Sequence, residues 1–492
     1  MSVAQTGGDA PGTPEVEVGK LAELVPEPAS FRDPDNQVGY DAHGQVLRVL
    51  RGAAVEDWRA LAGATFFADL VADGRICRTE PVDPDPDAAG ELTLRHERIP
   101  FISYPYEWTF AMLRDAALLH LDLLLAALPE GFTTKDGSAY NLQWRGAAPT
   151  FIDIGSFTRQ REGEPWAGYR QFCQTMLYPL LLTAHLDVPF QPWLRAQVDG
   201  IESGQIRPLF RGRHRWRAGV LRHLHLHDAM QRRYASTSVG EVKEQMKAAG
   251  YSTELVIATV RGLRKLVRKL DWRPPKTHWA EYRQTCSYSE RDREAKLAFV
   301  EAALGQAAAG GGELGLVLDL GANDGAFSRL AARQARQVVA VEGDHAVTDA
   351  LYRSLREAPD GPDRRVLPLV MDLANPSPGN GWRGVERASF ARRADADVVL
   401  ALALVHHLAI GRNVPLPEVI DNLAELGRWL VVEFVEPEDP MARRLLANKP
   451  PGMFGDYRRE VFEKLLAERF TIVRREELPS QTRTLYVGAP RG

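Results

Sequence analysis

The feature that most constrains the fold is a short segment in which a strand, a glycine turn and a helix follow one another. Val317–Leu320 is apolar except for Asp319, Gly321 and Gly325 lie in the turn, and a helical pattern begins near Ala326. Glycine adopts positive φ angles at little cost and lets the backbone approach a ligand closely. The segment therefore predicts a strand that delivers the chain to a ligand at the start of a helix.

Strand-like and helical runs alternate through the C-terminal part of this 492-residue chain. Such alternation predicts a parallel sheet covered by helices, closed by an antiparallel pair around Pro479-Ser480. The predicted strands are Leu316–Leu320, Val338–Val341, Val366–Met371, Val398–Ala403, Trp429–Val435, Phe470–Arg475 and Thr484–Gly488.

Acidic or histidine side chains follow several of these strands. The second strand ends at Glu342, 21 residues after the first glycine of the turn, where a carboxylate can accept hydrogen bonds from ribose hydroxyls. The third strand ends at Asp372, and the fourth leads to His406 and His407. Dinucleotide-binding enzymes share a glycine turn and a ribose acid, but they usually keep a glycine where this chain has Asn323.

Residues from about 285 to 492 resemble a class I S-adenosylmethionine-dependent methyltransferase. The family's first four motifs correspond in order to Val317–Gly325, Val338–Asp344, Val370–Leu373 and Asp397–Leu408. The resemblance implies a Rossmann-like α/β domain with a seven-stranded mixed sheet, and S-adenosylmethionine as the cofactor. By the resemblance, the cofactor-binding residues are Asp319, Gly321, Ala322, Asn323 and Gly325 at the methionine end, Glu342 at the ribose, and Asp372 and Leu373 at the adenine.

Methyl transfer from a sulfonium mainly requires that an acceptor lone pair be held in line with the sulfur–carbon bond in a water-poor site. A base is needed only where the acceptor must lose a proton. His406 and His407 are the candidate catalytic bases, and the alternative is that they only shape the cofactor pocket. Further side chains at or near this edge are Glu433, Glu436, Phe454–Tyr457 as an acceptor-site wall, and Tyr288 and Ser289 as a cap on the cofactor.

A second constellation lies in the N-terminal half. Asp136 is followed by Asn141 and then by Asp153 in an Asp-Ile-Gly segment, after a long apolar helix over 108–128. This pattern resembles the catalytic loop and metal-binding segment of protein-kinase-like phosphotransferases. Residues 21–134 contain no lysine and no Gly-x-Gly-x-x-Gly loop, so only Arg48 or Arg51 could replace the phosphate-pairing lysine. We therefore expect phosphotransfer to be lost; the alternative is a helical substrate or docking domain whose Asp and Asn cap turns.

The predicted domains are a disordered tail over 1–30, a mostly helical α+β accessory domain of kinase-like type over 31–270, a linker over 271–284 and the methyltransferase domain over 285–492. The net charge of −4 calls for no polyanionic partner, and the basic run 207–233 is interpreted as a solvated helix face, so nucleic acid is not expected. The three dispersed cysteines and the His223, His225, His227 and Asp228 group predict no metal site.

The sequence thus predicts an enzyme: a cytoplasmic S-adenosylmethionine-dependent methyltransferase acting on a small-molecule or sugar acceptor, with no membrane partner. The N-terminal domain positions the acceptor. Two alternatives stay open, a two-domain pseudoenzyme scaffold and a bifunctional phosphotransferase–methyltransferase. Neither the oligomeric state nor the acceptor follows from the sequence.

Overall fold

The computed structural model describes residues 24–83, 90–229, 252–274, 290–358 and 361–491. Within them the chain forms two compact units: the first contains residues up to 60 together with 78–98, and the second contains 61–77 and everything from 99 onward. The predicted cap residues Tyr288 and Ser289, residues 275–284 of the predicted linker and residues 1–23 of the predicted tail lie outside the described residues.

The first unit is an antiparallel sheet with the strand order β1-β2-β3-β5-β4. Residues 24–30 were predicted to be disordered, but β1 pairs with β2 and Tyr40 donates its hydroxyl proton to Glu27. Composition could not reveal this pairing, because it depends on a partner strand ten residues away. The strands are β1 (Val25–Pro26), β2 (Asn36–Tyr40), β3 (Val46–Leu50), β4 (Thr79–Pro81) and β5 (Leu92–His96).

The helical spacing of apolar residues over 55–72 predicts one helix, but the chain forms two, α1 (Ala53–Ala62) and α2 (Thr65–Ala72). The chain leaves the helical conformation at Ala64, where φ is −86° and ψ is 137°. The Glu130 carboxylate then accepts the backbone N–H groups of Thr65 and Phe66 at 2.9 and 2.8 Å. These donors have no partner inside a helix, so a distant acid starts the new helix.

The second unit begins with a mostly helical region. Its long apolar helix α3 (Phe110–Ala127) agrees with the predicted helix over 108–128. The turn at Arg145-Gly146 predicts two short strands, over 141–144 and 150–154, and the chain forms the hairpin of β7 (Leu142–Arg145) and β8 (Ala148–Phe151) there, while β6 (Phe132–Thr134) pairs with β9 (Phe157–Arg159). The remaining helices of this region are α4 (Tyr169–Phe172), α5 (Tyr178–Leu186), α6 (Gln191–Ala196), α7 (Ser203–Ile206) and α8 (Thr253–Lys269).

The C-terminal part of the second unit contains the predicted seven-stranded mixed sheet. Its strand order is β12-β11-β10-β13-β14-β16-β15, parallel except where β16 runs antiparallel to its two neighbours. All seven predicted strands are confirmed: β10 (Leu314–Leu320), β11 (Ala335–Glu342), β12 (Val366–Val370), β13 (Ala396–Ala401), β14 (Gly427–Val435), β15 (Thr471–Glu477) and β16 (Arg483–Ala489). The run Val338–Val341 is fully buried because helices cover both faces of a parallel sheet.

Among the described residues, this part of the chain contains seven α-helices: α9 (Glu290–Gly311), α10 (Ala326–Ala331), α11 (His345–Glu357), α12 (Phe390–Ala394), α13 (Leu416–Leu426), α14 (Pro440–Leu446) and α15 (Arg459–Arg469). The order β12-β11-β10-β13 reverses direction between β10 and β13, so the loops after these strands diverge and leave a crevice at their carboxyl ends.

Buried polar contacts join the helical region to the sheet region inside the second unit. Asp349 on α11 accepts the Ala111 N–H of α3 at 2.7 Å, and the Tyr352 hydroxyl donates to Asp115 at 2.8 Å. Arg393 pairs through two nitrogens with the buried Glu107 carboxylate, at 2.5 and 3.1 Å. The boundary between the compact units therefore does not fall at the predicted linker. No helix among the described residues is long and apolar enough to cross a bilayer.

Candidate functional site

A cavity of about 1250 Å³ opens at the carboxyl ends of β10, β11, β12 and β13. This is the edge at which open α/β sheets bind ligands, and the cavity is larger than most small-molecule pockets. Of the residues predicted to hold the cofactor, seven line it: Asp319, Gly321, Ala322, Asn323, Glu342, Asp372 and Leu373. The structure therefore brings together positions that span more than 50 residues of sequence.

Backbone hydrogen bonds to β11 fix the position of the glycine turn. Gly321 and Ala322 both donate their N–H groups to the Val341 carbonyl, at 2.8 and 3.0 Å. Gly321 has φ +80°, and a Cβ added there would meet only Leu404 Cδ1, at 3.7 Å. Gly321 thus presents bare backbone to the cavity, as a close approach to a ligand requires.

Gly325 was predicted to turn the chain sharply and to approach the ligand; the turn is present, and the approach to the ligand stays a prediction. Gly325 has φ +77°, precedes α10 and does not line the cavity. A Cβ added at Gly325 would lie 2.6 Å from Leu351 Cδ1 on α11. Glycine is required here by the turn and by helix packing, a difference that the motif spacing could not show.

Asp319 lies at the tip of β10 with only 2% of its surface exposed. Its Oδ2 accepts the Ser328 hydroxyl of α10 at 2.5 Å. Burial raises the pKa of Asp319 to about 6, against the lowering effect of the Ser328 hydrogen bond. A cation bound beside this carboxyl group would stabilise its charged form.

Glu342 stands at the end of β11 with its carboxylate oriented by the backbone. Oε2 accepts the Asn323 N–H at 3.1 Å and Oε1 accepts the Asp344 N–H at 2.9 Å. Burial raises the pKa of Glu342, whereas these backbone hydrogen bonds lower it. Each carboxylate oxygen has two acceptor sites, so both oxygens retain capacity for a hydroxyl.

Asp372 and Leu373 follow β12 and form the next part of the wall. The Asp372 carboxylate is half-exposed and pairs with Arg412, which also lines the cavity. One Asp372 oxygen also accepts the Ala374 N–H at 3.0 Å. Asp372 is therefore already engaged by a cation on this side of the site.

The two candidate catalytic histidines have different positions. His407 lines the cavity, whereas His406 does not and is 0% exposed. Neither ring nitrogen of His406 has a hydrogen-bond partner within the described part of the chain. Burial, and then the neighbouring His407, hold the pKa of His406 well below its usual value, and burial lowers the pKa of His407 to about 4. Both rings are neutral near pH 7, and the catalytic role of either stays a prediction.

Beneath the cavity lies a buried ionic network that the sequence did not reveal. Glu433 of β14 accepts Lys296 Nζ at 2.7 Å and Arg483 at 3.1 Å, and Arg483 in turn pairs with Asp439 at 2.8 Å. Glu433 also accepts the N–H of Ala403, a cavity-lining residue with φ +49° at the tip of β13. The network therefore fixes an unfavourable backbone conformation in the cavity wall.

Two interpretations from the sequence change accordingly. Glu433 is fully buried and stabilises the floor of the cavity without lining it. Tyr457, predicted as part of an acceptor-site wall, is buried, stacks on Phe434 and donates to the Val435 carbonyl at 2.9 Å. Glu436 pairs with Arg459 at 2.6 Å. Glu433 lies within β14 and Glu436 directly follows it, and the fold places Glu433 and Tyr457 in the core and pairs Glu436 with a neighbouring helix.

The opposite wall of the cavity comes from the helical region, which the motifs gave no reason to expect. Phe110, Phe190 and Trp272 supply aromatic surface, and Trp272 donates its indole N–H to Asp187 at 2.7 Å. Gln191 lies among them at the start of α6. The N-terminal half, which was predicted to position the acceptor, thus contributes surface to the cavity.

The kinase-like constellation is partly assembled within the second unit. Burial, and then the charge of Asp153, raise the pKa of Asp136, and Asn141 is close enough to counteract this through a hydrogen bond. In the first unit, Arg48 donates to His96 and Asn36, and Arg51 pairs with Glu91 at 2.6 Å. Both arginines that could replace the missing lysine are therefore engaged.

The histidine group of the basic run also has partners. Tyr169 and Tyr178 hydroxyls contact His223 and His227, and Asp228 bonds to Ser203. Among the described residues no group of three or more His, Cys, Asp or Glu side chains is arranged to hold a metal.

No family model matches the chain. Solved structures with low similarity include the N-methyltransferase NodS from Bradyrhizobium japonicum WM9, at 13% identity and a TM-score of 0.29 over 42% of this chain and 99% of that one. Magnesium protoporphyrin IX methyltransferase from Synechocystis PCC 6803 aligns at 17% identity and a TM-score of 0.31 over 43% of this chain and 94% of that one. The bifunctional kinase–methyltransferase WbdD aligns at 17% identity and a TM-score of 0.30 over 42% and 41%. Scores this low carry no argument about activity.

A curated relative is far more similar. Nodulation protein NoeA from Rhizobium meliloti (strain 1021) is 33% identical over 483 residues, which span 95% of this chain and 97% of the relative. The similarity thus extends through the antiparallel sheet, the helical region and the seven-stranded sheet alike. On that identity and coverage, the chain belongs to the family of nodulation protein NoeA.

Proposed function

We propose that this protein is an S-adenosylmethionine-dependent methyltransferase whose cofactor binds across the carboxyl ends of β10, β11 and β12. The observation that carries the proposal is the single cavity wall in which bare backbone at Gly321 adjoins carboxyl groups at the tips of three successive strands, Asp319, Glu342 and Asp372. The motif resemblance, which assigns these residues to the cofactor, supports the same proposal.

The residues present fit this cofactor. Glu342 is already oriented by two backbone N–H groups and can accept ribose hydroxyls with its remaining lone pairs. Asp319 is buried, and its pKa is raised to about 6. An ammonium group beside it would favour the ionised carboxylate and would be bound by that charge. Carboxyl groups also outnumber Lys and Arg around the cavity, seven to three, which favours a cationic ligand over an anionic one.

The bound cofactor would supply a methyl group already activated by its positively charged sulfur. The chain's own contribution is to hold the acceptor in line and to exclude water, and the aromatic wall of Phe110, Phe190 and Trp272 supplies apolar surface for this. His407 is the candidate to take a proton, because it lines the cavity and its ring is neutral. With a pKa of about 4 it is a weak base, which suits an acceptor that loses its proton readily.

We propose a small-molecule or sugar acceptor and a cytoplasmic location, with the helical region presenting the acceptor to the sheet region. We also propose that the kinase-like constellation around Asp136 no longer transfers phosphate, because Arg48 and Arg51 are held by other side chains. Bifunctional phosphotransfer remains the second candidate, since Asp136 and Asp153 do lie close enough to interact.

Two measurements test the proposal. Isothermal titration calorimetry with S-adenosylhomocysteine should show one site per chain, and labelled S-adenosylmethionine incubated with the protein and an extract of the source organism should place label in a small molecule. A protein that binds no S-adenosylhomocysteine would contradict the methyltransferase proposal. A thermal shift with Mg-ATP, or ATP-dependent methylation, would instead support the bifunctional alternative.

A further inference from the structure

Gln191 presents a buried oxygen atom that has no partner in the protein. Its amide Nε2 donates to the Trp108 carbonyl at 2.8 Å. A carbonyl can only accept, so this bond fixes which end of the amide is the nitrogen. The Oε1 atom accordingly points away from Trp108 and accepts no hydrogen bond from the described residues. Gln191 is 8% exposed and lines the cavity.

A buried, unpaired amide oxygen is costly unless a ligand or water donates to it. Gln191 belongs to the cavity wall opposite the sheet. Phe110 and Phe190, which line the same wall, are apolar and buried. The apolar surroundings leave a ligand N–H or O–H as the natural partner for this oxygen.

The position of α6 identifies which part of a ligand Gln191 meets. Arg195, one turn after Gln191 and on the same face of the helix, donates to the Asn375 carbonyl at 3.1 Å and to the Pro376 carbonyl at 2.9 Å. The Asn380 amide donates back to the Arg195 carbonyl at 2.6 Å. This face of α6 therefore packs on the loop that starts at Asp372 and Leu373, the adenine side of the proposed cofactor site.

Asp372, the residue of that loop assigned to the adenine, already has other hydrogen-bond partners. The resemblance assigns the exocyclic amine to the neighbourhood of Asp372, but the Asp372 carboxylate pairs with Arg412 and accepts the Ala374 N–H. Within the part of the chain that the structure describes, no group competes in this way for the Gln191 oxygen. It is also far more buried than the half-exposed Asp372, so water competes less for the bond.

We propose that Gln191 Oε1 accepts a hydrogen bond from the exocyclic amine of the cofactor's adenine. The helical region thereby completes the cofactor site and recognises the adenine, in addition to any contact with the acceptor. This inference rests on the proposed function, since it needs an adenine-containing cofactor in the cavity.

The test compares two ligands that differ at the amine. S-adenosylhomocysteine carries the amine, whereas S-inosylhomocysteine carries an oxygen there and cannot donate from that atom. Calorimetry on the full-length wild-type protein should give about tenfold tighter binding of the adenine ligand, the size expected for one hydrogen bond. The Gln191→Met variant should bind S-adenosylhomocysteine about tenfold more weakly, and its preference for adenine should disappear.

The ratio of the two affinities separates recognition from structural damage. A distorted site would weaken both ligands together and leave the ratio unchanged, so Gln191→Met with an intact ratio overturns the inference. Gln191→Leu provides a second variant if Gln191→Met does not fold, and Gln197→Leu, the same change outside the cavity, should keep both the affinity and the ratio. A wild type that binds S-adenosylhomocysteine without preferring it overturns the inference alone, whereas a wild type that binds neither ligand overturns the proposed function.

Discussion

Replacing Glu342 tests the ribose contact most directly, and the structure predicts two separable effects. If both oxygens accept ribose hydroxyls, Glu342→Ala removes two charge-assisted hydrogen bonds of about 1.5–3 kcal/mol each, so affinity for S-adenosylhomocysteine should fall about 10²- to 10⁴-fold. The same change leaves the Asn323 and Asp344 N–H groups without their acceptor, which should lower the free energy of unfolding by about 1–3 kcal/mol for each.

The assay therefore needs a stability measurement beside the calorimetry. Urea unfolding establishes that the variant is folded at the titration temperature, and Glu342→Gln, which keeps one acceptor for these N–H groups, should lose less stability but still lose affinity. Glu425→Ala, on the exposed surface of α13, is the matched control and should change neither quantity. A folded Glu342→Ala protein with wild-type affinity would refute the assignment of Glu342 to the ribose.

Three further predictions concern the turn, the ionic network and pH. Gly321→Val should abolish S-adenosylhomocysteine binding in calorimetry while the protein stays folded, because its side chain would enter open cavity space and strain a φ of +80°; normal binding would mean that the turn does not face the ligand. Glu433→Gln should destabilise the protein by about 3–5 kcal/mol in urea unfolding, because the buried Lys296 ammonium loses its paired carboxylate and Arg483 loses one of its two, keeping Asp439, whereas Lys296→Met should cost less; equal losses would contradict the network. Burial lowers the pKa of His120, His223 and His407 to about 4 in the folded state, so the unfolded chain binds more protons between about pH 4 and 6.5. The free energy of unfolding should therefore fall as the pH drops through this range, which a pH series of urea melts would show. Asp319, whose pKa is raised to about 6, has the opposite effect and only partly offsets this fall.

The seven-stranded sheet could be predicted because its strands are encoded locally. Val338–Val341 and Val366–Val370 are runs of apolar residues in which every member is buried, and the first is followed directly by a turn and a helix. The positions of the glycine turn and of Glu342 were equally local, because strand ends in a parallel sheet meet at one edge whatever the details of packing. Sequence reasoning succeeded where the position of a residue in its own element was enough to place it.

The same reasoning failed where a residue's role depends on a distant contact. Gly325 is glycine because Leu351 lies against it, and Glu130 starts α2 from 65 residues away. Lys296 was not singled out at all, since a lysine on a helix is usually solvated, whereas this one is buried at the cavity wall and paired with Glu433. None of these contacts leaves a periodic or motif-like signal in the chain.

Helix α11 explains why the helical region and the sheet region have to be considered together. Its first turn, at His345–Val347, lines the cavity directly after the Glu342 strand end, and its middle holds α3 through the buried Asp349 and through Tyr352. Helix α3 begins at Phe110, which forms part of the opposite cavity wall. Displacing α3 would therefore disturb both walls at once, and the N–H of Ala111 would lose a charged acceptor that water could replace only by entering the core. A molecule held in this cavity would contact both regions, and the similarity to the NoeA relative likewise covers both.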